Sequence, residues 1–364
     1  MPVPLPSRIR AIAAGYPELI AVLAAAILGL TVQPPLAWLA SHQGINVLLA
    51  ILVFATAVTI DPAALRRLVG AWRALLAALV VGVTVLPALS WAVSRIVSAG
   101  SLRDGVLVVG LAPCEIASVA TTAMAAGEAA VSAGVLIGST VAAVALAGPI
   151  LALEVGRAGV SPGAIIANLA LVVALPLTIG LAARACAQAP PPAANKPHRV
   201  LPATRVPTTL RAHRALAATR VPTTPRAHRA LAATRVLATP RAERVASTTA
   251  LAAVAALVAL IAAEVHLSTA YLAVAAALLL FLLGSALVGR ALGARSARPT
   301  ATALLLTTSM RDFAIAAGLA AAAFGPDAAA PLGLYGIAVL IWGTATAGTL
   351  RHRAPPGNQK FNSL

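Results

Sequence analysis

The chain has 364 residues, of which 60% are hydrophobic, 10% charged and 3% aromatic, and its formal net charge is +17. Soluble domains carry roughly 25% charged residues, so this composition excludes an ordinary water-soluble enzyme or binding domain. It calls instead for Ala-, Leu- and Val-rich helices packed in lipid, where small residues let backbones approach. The positive charge would elsewhere raise nucleic acid as a partner, but cytoplasmic loops of membrane proteins collect Lys and Arg. The lipid bilayer is therefore the expected partner and nucleic acid is not.

A helix crosses the hydrocarbon core in about 20 apolar residues, and the chain offers ten such runs. The first, 18–32, follows Arg8 and Arg10 in the manner of a signal peptide. No small-x-small cleavage site precedes polar sequence, so it reads as a retained helix that extends through Gln33-Pro34-Pro35. The others are 45–60, 72–97, 105–125, 129–153, 165–183, 249–263, 270–287, 301–324 and 329–350. With both termini cytoplasmic, 23 of the 27 Lys and Arg fall inside, Arg95, Arg103 and Arg157 fall outside, and Arg311 lies within a span. Discounting the long loop, which is a poor guide to orientation, leaves 11 against 3. This bias sets the expected orientation, in the plasma membrane of what the Ala- and Arg-rich composition suggests is a bacterium.

Residues 187–248 break the pattern. After Pro190-Pro191-Pro192 come three copies of a fifteen-residue unit, beginning at Leu201, Leu216 and Leu231. Pro recurs in each copy, acid is nearly absent and the apolar residues are mostly Ala, so the segment cannot bury enough surface to offset its ordering entropy. The reading is a disordered basic cytoplasmic loop, with contact to anionic lipid as its candidate role.

Spans one to five and six to ten make two sets of five, and an odd number per set inverts the second relative to the first. Inverted repeats with discontinuous helices meeting near the midplane recur among secondary transporters. The fourth span of each set carries the interruption. GLAPCEIASVATTAMAAGE, 110–128, contains Pro113, which supplies no backbone donor, then Glu115, Ser118, Thr121 and Thr122. TALLLTTSMRDFAIAAGLAAAAFGP, 302–326, contains Thr307, Thr308, Ser309, Arg311 and Asp312. The fold class is thus all-α membrane protein, ten transmembrane helices in two inverted five-helix repeats, with broken crossing helices 4 and 9.

These residues resemble the bile acid:sodium symporter family. PCEIASVATTAMAAGEAAVS from Pro113 is similar to the family's proline-glycine-TASN signature running to a glycine-acid pair, with Ser118, Gly127, Glu128 and Ser132 on matching positions. LLAILVFATAVTIDPAALRRL resembles its second helix, and SMRDFAIAAGLAAAAFGP its second crossing helix. The resemblance implies a panel domain of helices 1–2 (1–70), 6 (161–186) and 7 (249–266), and a core domain of helices 3–5 (71–160) and 8–10 (267–350). The basic loop 187–248 and a cytoplasmic tail, 351–364, complete the chain. The family's sodium ligands correspond here to Val119, Thr307 and Arg311. A guanidinium repels a hard cation, so sodium coupling of the standard form is not expected, although Ser118, Ser132 and Thr307 remain as oxygen donors. The APC triplet 112–114 also resembles the arsenite efflux permeases, which makes Cys114 a candidate thiol ligand. Their second crossing helix carries a Glu after Asn-Phe, whereas here Asp312-Phe313 is followed by Ala314.

Charges near the bilayer centre cost roughly 2.5–3.5 kcal/mol each on insertion scales, and Glu115, Arg311 and Asp312 all fall in the broken helices. Glu115 and Arg311 are expected to pair across the crossing, leaving Glu115 or Asp312 to carry a proton, or Arg311 to bind an anionic substrate group. No phosphate-binding loop, dinucleotide fingerprint, zinc signature or catalytic triad appears, so neither an enzyme nor a cofactor is expected. The expected function is secondary transport of a small organic anion by alternating access, with Na⁺ or H⁺ as the coupling ion. The alternatives are arsenite-type efflux and, from another class, a membrane sensor or scaffold acting through the basic loop.

Overall fold

The computed structural model describes residues 17–60, 71–156, 161–188, 239–265 and 268–352. Most of the expected basic loop, including all three repeats up to residue 238, lies outside them, as do the second-helix loop at 61–70 and most of the tail. The described residues are almost entirely helical and form no strand.

The chain opens with α1 (Pro17–Thr31). At Val32 the backbone leaves the helical region, and Gln33-Pro34-Pro35 start a new helix, α2 (Gln33–Leu39), instead of prolonging the first. Proline fits there because the first helical N–H groups have no partner to lose. One wide turn, Ala40–Gly44, carries Gln43 at φ 67° and bends the chain into α3 (Ile45–Thr59). Next come α4 (Trp72–Val83) and α5 (Val85–Ser94), offset at Thr84, then the short α6 (Ser101–Val108) and a 3₁₀ turn, Val109–Leu111. After a break lies α7 (Ala117–Met124), followed by the long α8 (Ala129–Val155). Helices α9 (Pro162–Leu169) and α10 (Leu175–Gln188) form one rod through a wide turn at Ala170–Ala174.

The second half begins at α11 (Pro240–Ala263) and continues with α12 (Ala270–Gly293). Helix α13 (Arg298–Ser309) breaks before α14 (Phe313–Phe324), and a 3₁₀ turn, Pro326–Ala329, leads into α15 (Ala330–His352). Helix α11 corrects the loop boundary. Thr239 caps its N-terminus by accepting from the Ala242 N–H at 3.2 Å, with Pro240 at the first helical position. Residues 240–248, read from sequence as part of the loop, are thus polar opening turns of a membrane helix. At the other end of the loop, residues 187–188 belong to α10.

Among the described residues, seven helical rods are long and apolar enough to cross a membrane: Gln33–Thr59, Trp72–Ser94, Ala129–Val155, Pro162–Gln188, Arg244–Ala263, Ala270–Gly293 and Pro326–Arg351. With α1 and the two broken pairs α6–α7 and α13–α14, the layout is compatible with the expected ten spans. Leu272, Leu287, Leu171, Val141, Ile27 and Leu28 are exposed around the periphery, as lipid-facing side chains require in a multi-pass membrane protein. Helix α11 packs on α1 and α3, α10 packs on α3, and α12 packs on α13. Gly29 permits the first of these contacts, since a Cβ there would overlap the Ala259 carbonyl oxygen of α11. Small residues set interhelical spacing where lipid removes the hydrophobic drive for helices to associate.

Candidate functional site

The first break follows from local chemistry. Ala112 precedes Pro113, and the proline ring pushes the preceding residue to extended backbone; Ala112 sits at φ −65°, ψ 151°. The second break has no proline. Met310 (φ −92°, ψ 104°) and Asp312 (φ −72°, ψ 102°) are extended, and the Asp312 carboxylate accepts from the Ile315 N–H at 2.9 Å, capping α14.

The two extended segments cross and pair as a single antiparallel bridge between Cys114 and Arg311. The Glu115 N–H donates to the Met310 carbonyl at 2.8 Å, and the Asp312 N–H donates to the Pro113 carbonyl at 2.9 Å. Unwound backbone at membrane depth is tolerated only where it is buried in protein or lines a cavity. The bridge meets that condition, because each break supplies the other's missing partners.

Side chains complete the pairing. Tyr335 of α15 accepts from the Arg311 N–H at 3.3 Å and donates to the Ser309 carbonyl at 3.3 Å. Ser139 of α8 accepts from the Cys114 N–H at 3.1 Å. Trp342 Nε1 donates to Ser309 Oγ at 3.0 Å. Arg311 Nη2 donates to the Ala112 carbonyl, which places a positive group where the α6 dipole is negative. The Glu115 carboxylate faces the backbone N–H groups of Ala117, Phe313 and Ile116, with the Asp312 carboxylate close by. Both carboxylates thus sit at the positive ends of half-helices, Glu115 at α7 and α14 and Asp312 at α14, as helix dipoles favour.

The candidate substrate- and ion-binding residues and Cys114 are all buried, but only some of them meet. Cys114, Glu115, Arg311 and Asp312 form the crossing itself. Ser118 and Ser132 lie beside it with hydroxyls 3.5 Å apart, and Ser118 donates toward Cys114 Sγ at 3.9 Å. Thr121 bonds back to the Ala117 carbonyl and packs toward Gly343 of α15. Thr122 packs where a Gly127 Cβ would point, Thr307 bonds back to Ala303, and Thr308 packs on Gly289 of α12.

The expected Glu115–Arg311 pair does not form. The guanidinium is held by Ala112 and lies in a small cavity, about 10 Å³, lined by Leu79, Gly82, Pro87, Leu111, Ser139 and neighbouring α8 residues. A separate cleft of about 380 Å³ opens between α2–α3, α9 and the C-terminal turns of α14. Gln43, Asn46, Asn168, Ser41 and Ser161 line it, with Ala321–Ala323 forming the opposite wall. The cleft shares no lining residue with the Arg311 cavity. Sequence reading missed these amides, although Asn46 and Asn168 are lone amides in apolar runs and burying an unpaired amide is costly. Helix α14 joins the two places: it begins at the crossing, and a Cβ at its Gly318 would sit 3.7 Å from Asn46 Oδ1.

Residues 46–204 match the Sodium Bile acid symporter family. The match runs from α3 through α10, includes the first break, and bears out the family named from the motifs. No curated protein matches the chain significantly. The members of that family are transporters, and the apolar helices of this chain are those of a multi-pass membrane protein.

Proposed function

We propose that the chain is a secondary transporter that moves a small carboxylate-bearing organic solute by alternating access. The observation that carries this reading is the Cys114–Arg311 bridge, where two broken helices from opposite halves of the chain gather three buried charged side chains. The positive-inside bias puts the cleft on the external side of the plasma membrane. In this reading α1–α3 and α9–α11 form the panel, the remaining helices form the core, and solute passes between them as α14 moves against α3.

Coupling follows from the charge at the crossing. One guanidinium faces two carboxylates, so one proton shared by Glu115 and Asp312 brings the three groups to neutrality, and an uncompensated buried charge is costly. Arsenite-type efflux is less favoured by the geometry. Cys114 is fully buried, lies behind the bridge against Ser139 and Ser118, and does not line the cleft.

The test is uptake of a labelled small carboxylate into proteoliposomes under a Na⁺ gradient alone, a proton gradient alone, and neither. Stimulation by protons alone supports the proposal. Stimulation by Na⁺ alone overturns the proton assignment, and absence of flux in all three arms overturns the transport reading.

A further inference from the structure

Helices α4 and α5 form one membrane-length rod, Trp72–Ser94, whose two faces differ. Leu86, Pro87, Ser90 and Val93 are buried on one face, where α4 packs on α8 and α5 packs on α6 and α12. The other face is open. Leu76, Val80 and Val85 are exposed along it, as side chains that meet acyl chains must be.

Each end of the rod carries the same pair of side chains. At one end the Arg73 guanidinium lies over the Trp72 ring, 5.4 Å from its centroid; at the other the Arg95 guanidinium lies over the Trp91 ring at 5.5 Å. Both distances fall within the roughly 6 Å over which an indole face attracts a cation. All four side chains are exposed, the two indoles by 55% and 43%. An indole suits the boundary between acyl chains and headgroups, because its body is apolar and its N–H needs a wet partner. A guanidinium stacked on it is already oriented, and its planar fork matches phosphate oxygens in pairs. A choline headgroup would bring a second cation beside that fork, so the fit is to a phospholipid with net negative charge.

The spacing of the two pairs is the second observation. Trp91 follows Trp72 by 19 residues. At 1.5 Å per residue the indoles stand about 28 Å apart along the rod, close to the roughly 30 Å of a hydrocarbon core. When one indole reaches its headgroup layer, the other reaches the opposite one.

We propose that Trp72–Arg73 and Trp91–Arg95 are docking sites for anionic phospholipid headgroups, one in each leaflet. Phosphate oxygens accept from the guanidinium, and acyl chains run along Leu76, Val80 and Val85. Leu79, Gly82 and Pro87 of the same rod wall the Arg311 cavity, so the docked rod holds that side of the crossing at a fixed depth. The inference needs only that the chain spans a membrane, and stands apart from what it transports.

The experiment reconstitutes the full chain in phosphatidylcholine vesicles and quenches its tryptophan fluorescence with brominated lipids. Trp38→Phe with Trp91→Phe reports Trp72, Trp38→Phe with Trp72→Phe reports Trp91, and the triple replacement gives the Trp342 signal to subtract. Trp342 stays because it bonds Ser309. The three replaced indoles are exposed, so the variants should melt as the parent does. If one does not, the Arg replacements below are read in the parent's total signal.

Bromine near the carbonyl end of the acyl chain should quench Trp72 and Trp91 more than bromine near the methyl end. Quenching by brominated phosphatidylglycerol should show about fivefold tighter binding than phosphatidylcholine at each site, the increment of one basic residue near an anionic surface. Arg73→Gln should remove that preference at Trp72 alone, and Arg95→Gln at Trp91 alone. The preference should survive deletion of residues 190–238, a second source of positive charge.

Stronger quenching from the methyl end at either tryptophan overturns the headgroup placement. Equal binding of the two lipids, a preference that outlasts both Arg replacements, or one lost with residues 190–238 overturns the docking sites. None of these outcomes touches the transport reading.

Discussion

The Asp312 N–H bonds the Pro113 carbonyl at 2.9 Å, joining two broken helices from opposite halves of the chain. Neither group has a partner within its own helix, because Pro113 ends one half-helix and Asp312 caps the next. The bond therefore gives each break a reason to sit against the other, and it holds the charged residues of both in one place.

Asp312 has two separable roles, as a cap and as a charge. Asp312→Ala removes the acceptor for the Ile315 N–H and should cost about 1 kcal/mol of stability, the usual penalty for losing an N-cap. Asp312→Asn keeps a capping oxygen and should melt within a few tenths of a kcal/mol of the parent. Both variants should lose the response of uptake to a proton gradient. Thermal unfolding in detergent, run beside uptake, separates the two roles; an Asn variant with full proton-driven uptake would remove Asp312 from coupling.

Tyr335 is a fully buried phenol whose hydroxyl serves both sides of the second break. Tyr335→Phe keeps the ring packed edge-on against Phe281, whose centroid lies 6.1 Å away. It leaves the Arg311 N–H and the Ser309 carbonyl without this partner. Stability should fall by about 1–3 kcal/mol, the cost of leaving buried polar groups unsatisfied. An unchanged melting temperature would mean that the phenol bonds contribute nothing to holding the break.

The helices were legible in sequence because long apolar runs broken by charge are an unambiguous signal, and both breaks showed as polar clusters in otherwise apolar helices. Pro113 announced the first break through its missing N–H. The positions of the side chains within the breaks were less legible. Opposite charges at Glu115 and Arg311 suggested a pair, but the Ala112 carbonyl, freed by Pro113, takes the guanidinium instead. Backbone acceptors leave no mark in a sequence of side chains. The cleft was missed for a related reason: helix α3, with its positive end, starts only because Gln43 adopts a backbone conformation rare for a non-glycine residue. The start of α11 was hidden by the basic composition of the repeats that run into it.

The Glu115 and Arg311 charges act on different partners, and this gives a sharp test. Were they an ion pair, removing both would restore part of what either single change loses. Here Arg311→Leu leaves the Ala112 carbonyl without its guanidinium, and Glu115→Gln removes the charge facing the α7 and α14 N-termini. The double variant should therefore transport no better than the worse single variant. Recovery of uptake in the double variant would establish the direct pair.

Deletion of residues 190–238, bridged by a flexible Gly/Ser segment of about 20 residues, separates transport from a scaffold acting through the loop. None of the residues at the crossing or the cleft lies in the deleted segment. Uptake and the melting temperature should both stay at parental values. Loss of uptake from a variant that still melts normally would assign the basic segment a part in transport.

Two glycines packed against neighbouring helices should respond differently to the same added methyl group. At Gly110, just before the first break, a Cβ would overlap the Leu86 carbonyl oxygen and Ser90 Oγ of α5. The carbonyl belongs to helical backbone and cannot rotate away, so Gly110→Ala should cost about 1–3 kcal/mol, as overpacking does. At Gly318 on α14 the nearest atom is Leu49 Cδ2 at 2.8 Å, the far end of a flexible side chain that can turn aside. Gly318→Ala should therefore melt close to the parent. Its effect should appear in transport, because the methyl group thickens α14 where it passes Leu49 and Asn46 of α3. Melting curves and initial uptake rates on the two variants check this: Gly110→Ala should lose stability first, and Gly318→Ala should lose uptake while keeping stability. If Gly318→Ala transports normally, α14 does not move against α3 at this contact, and the moving surface lies elsewhere.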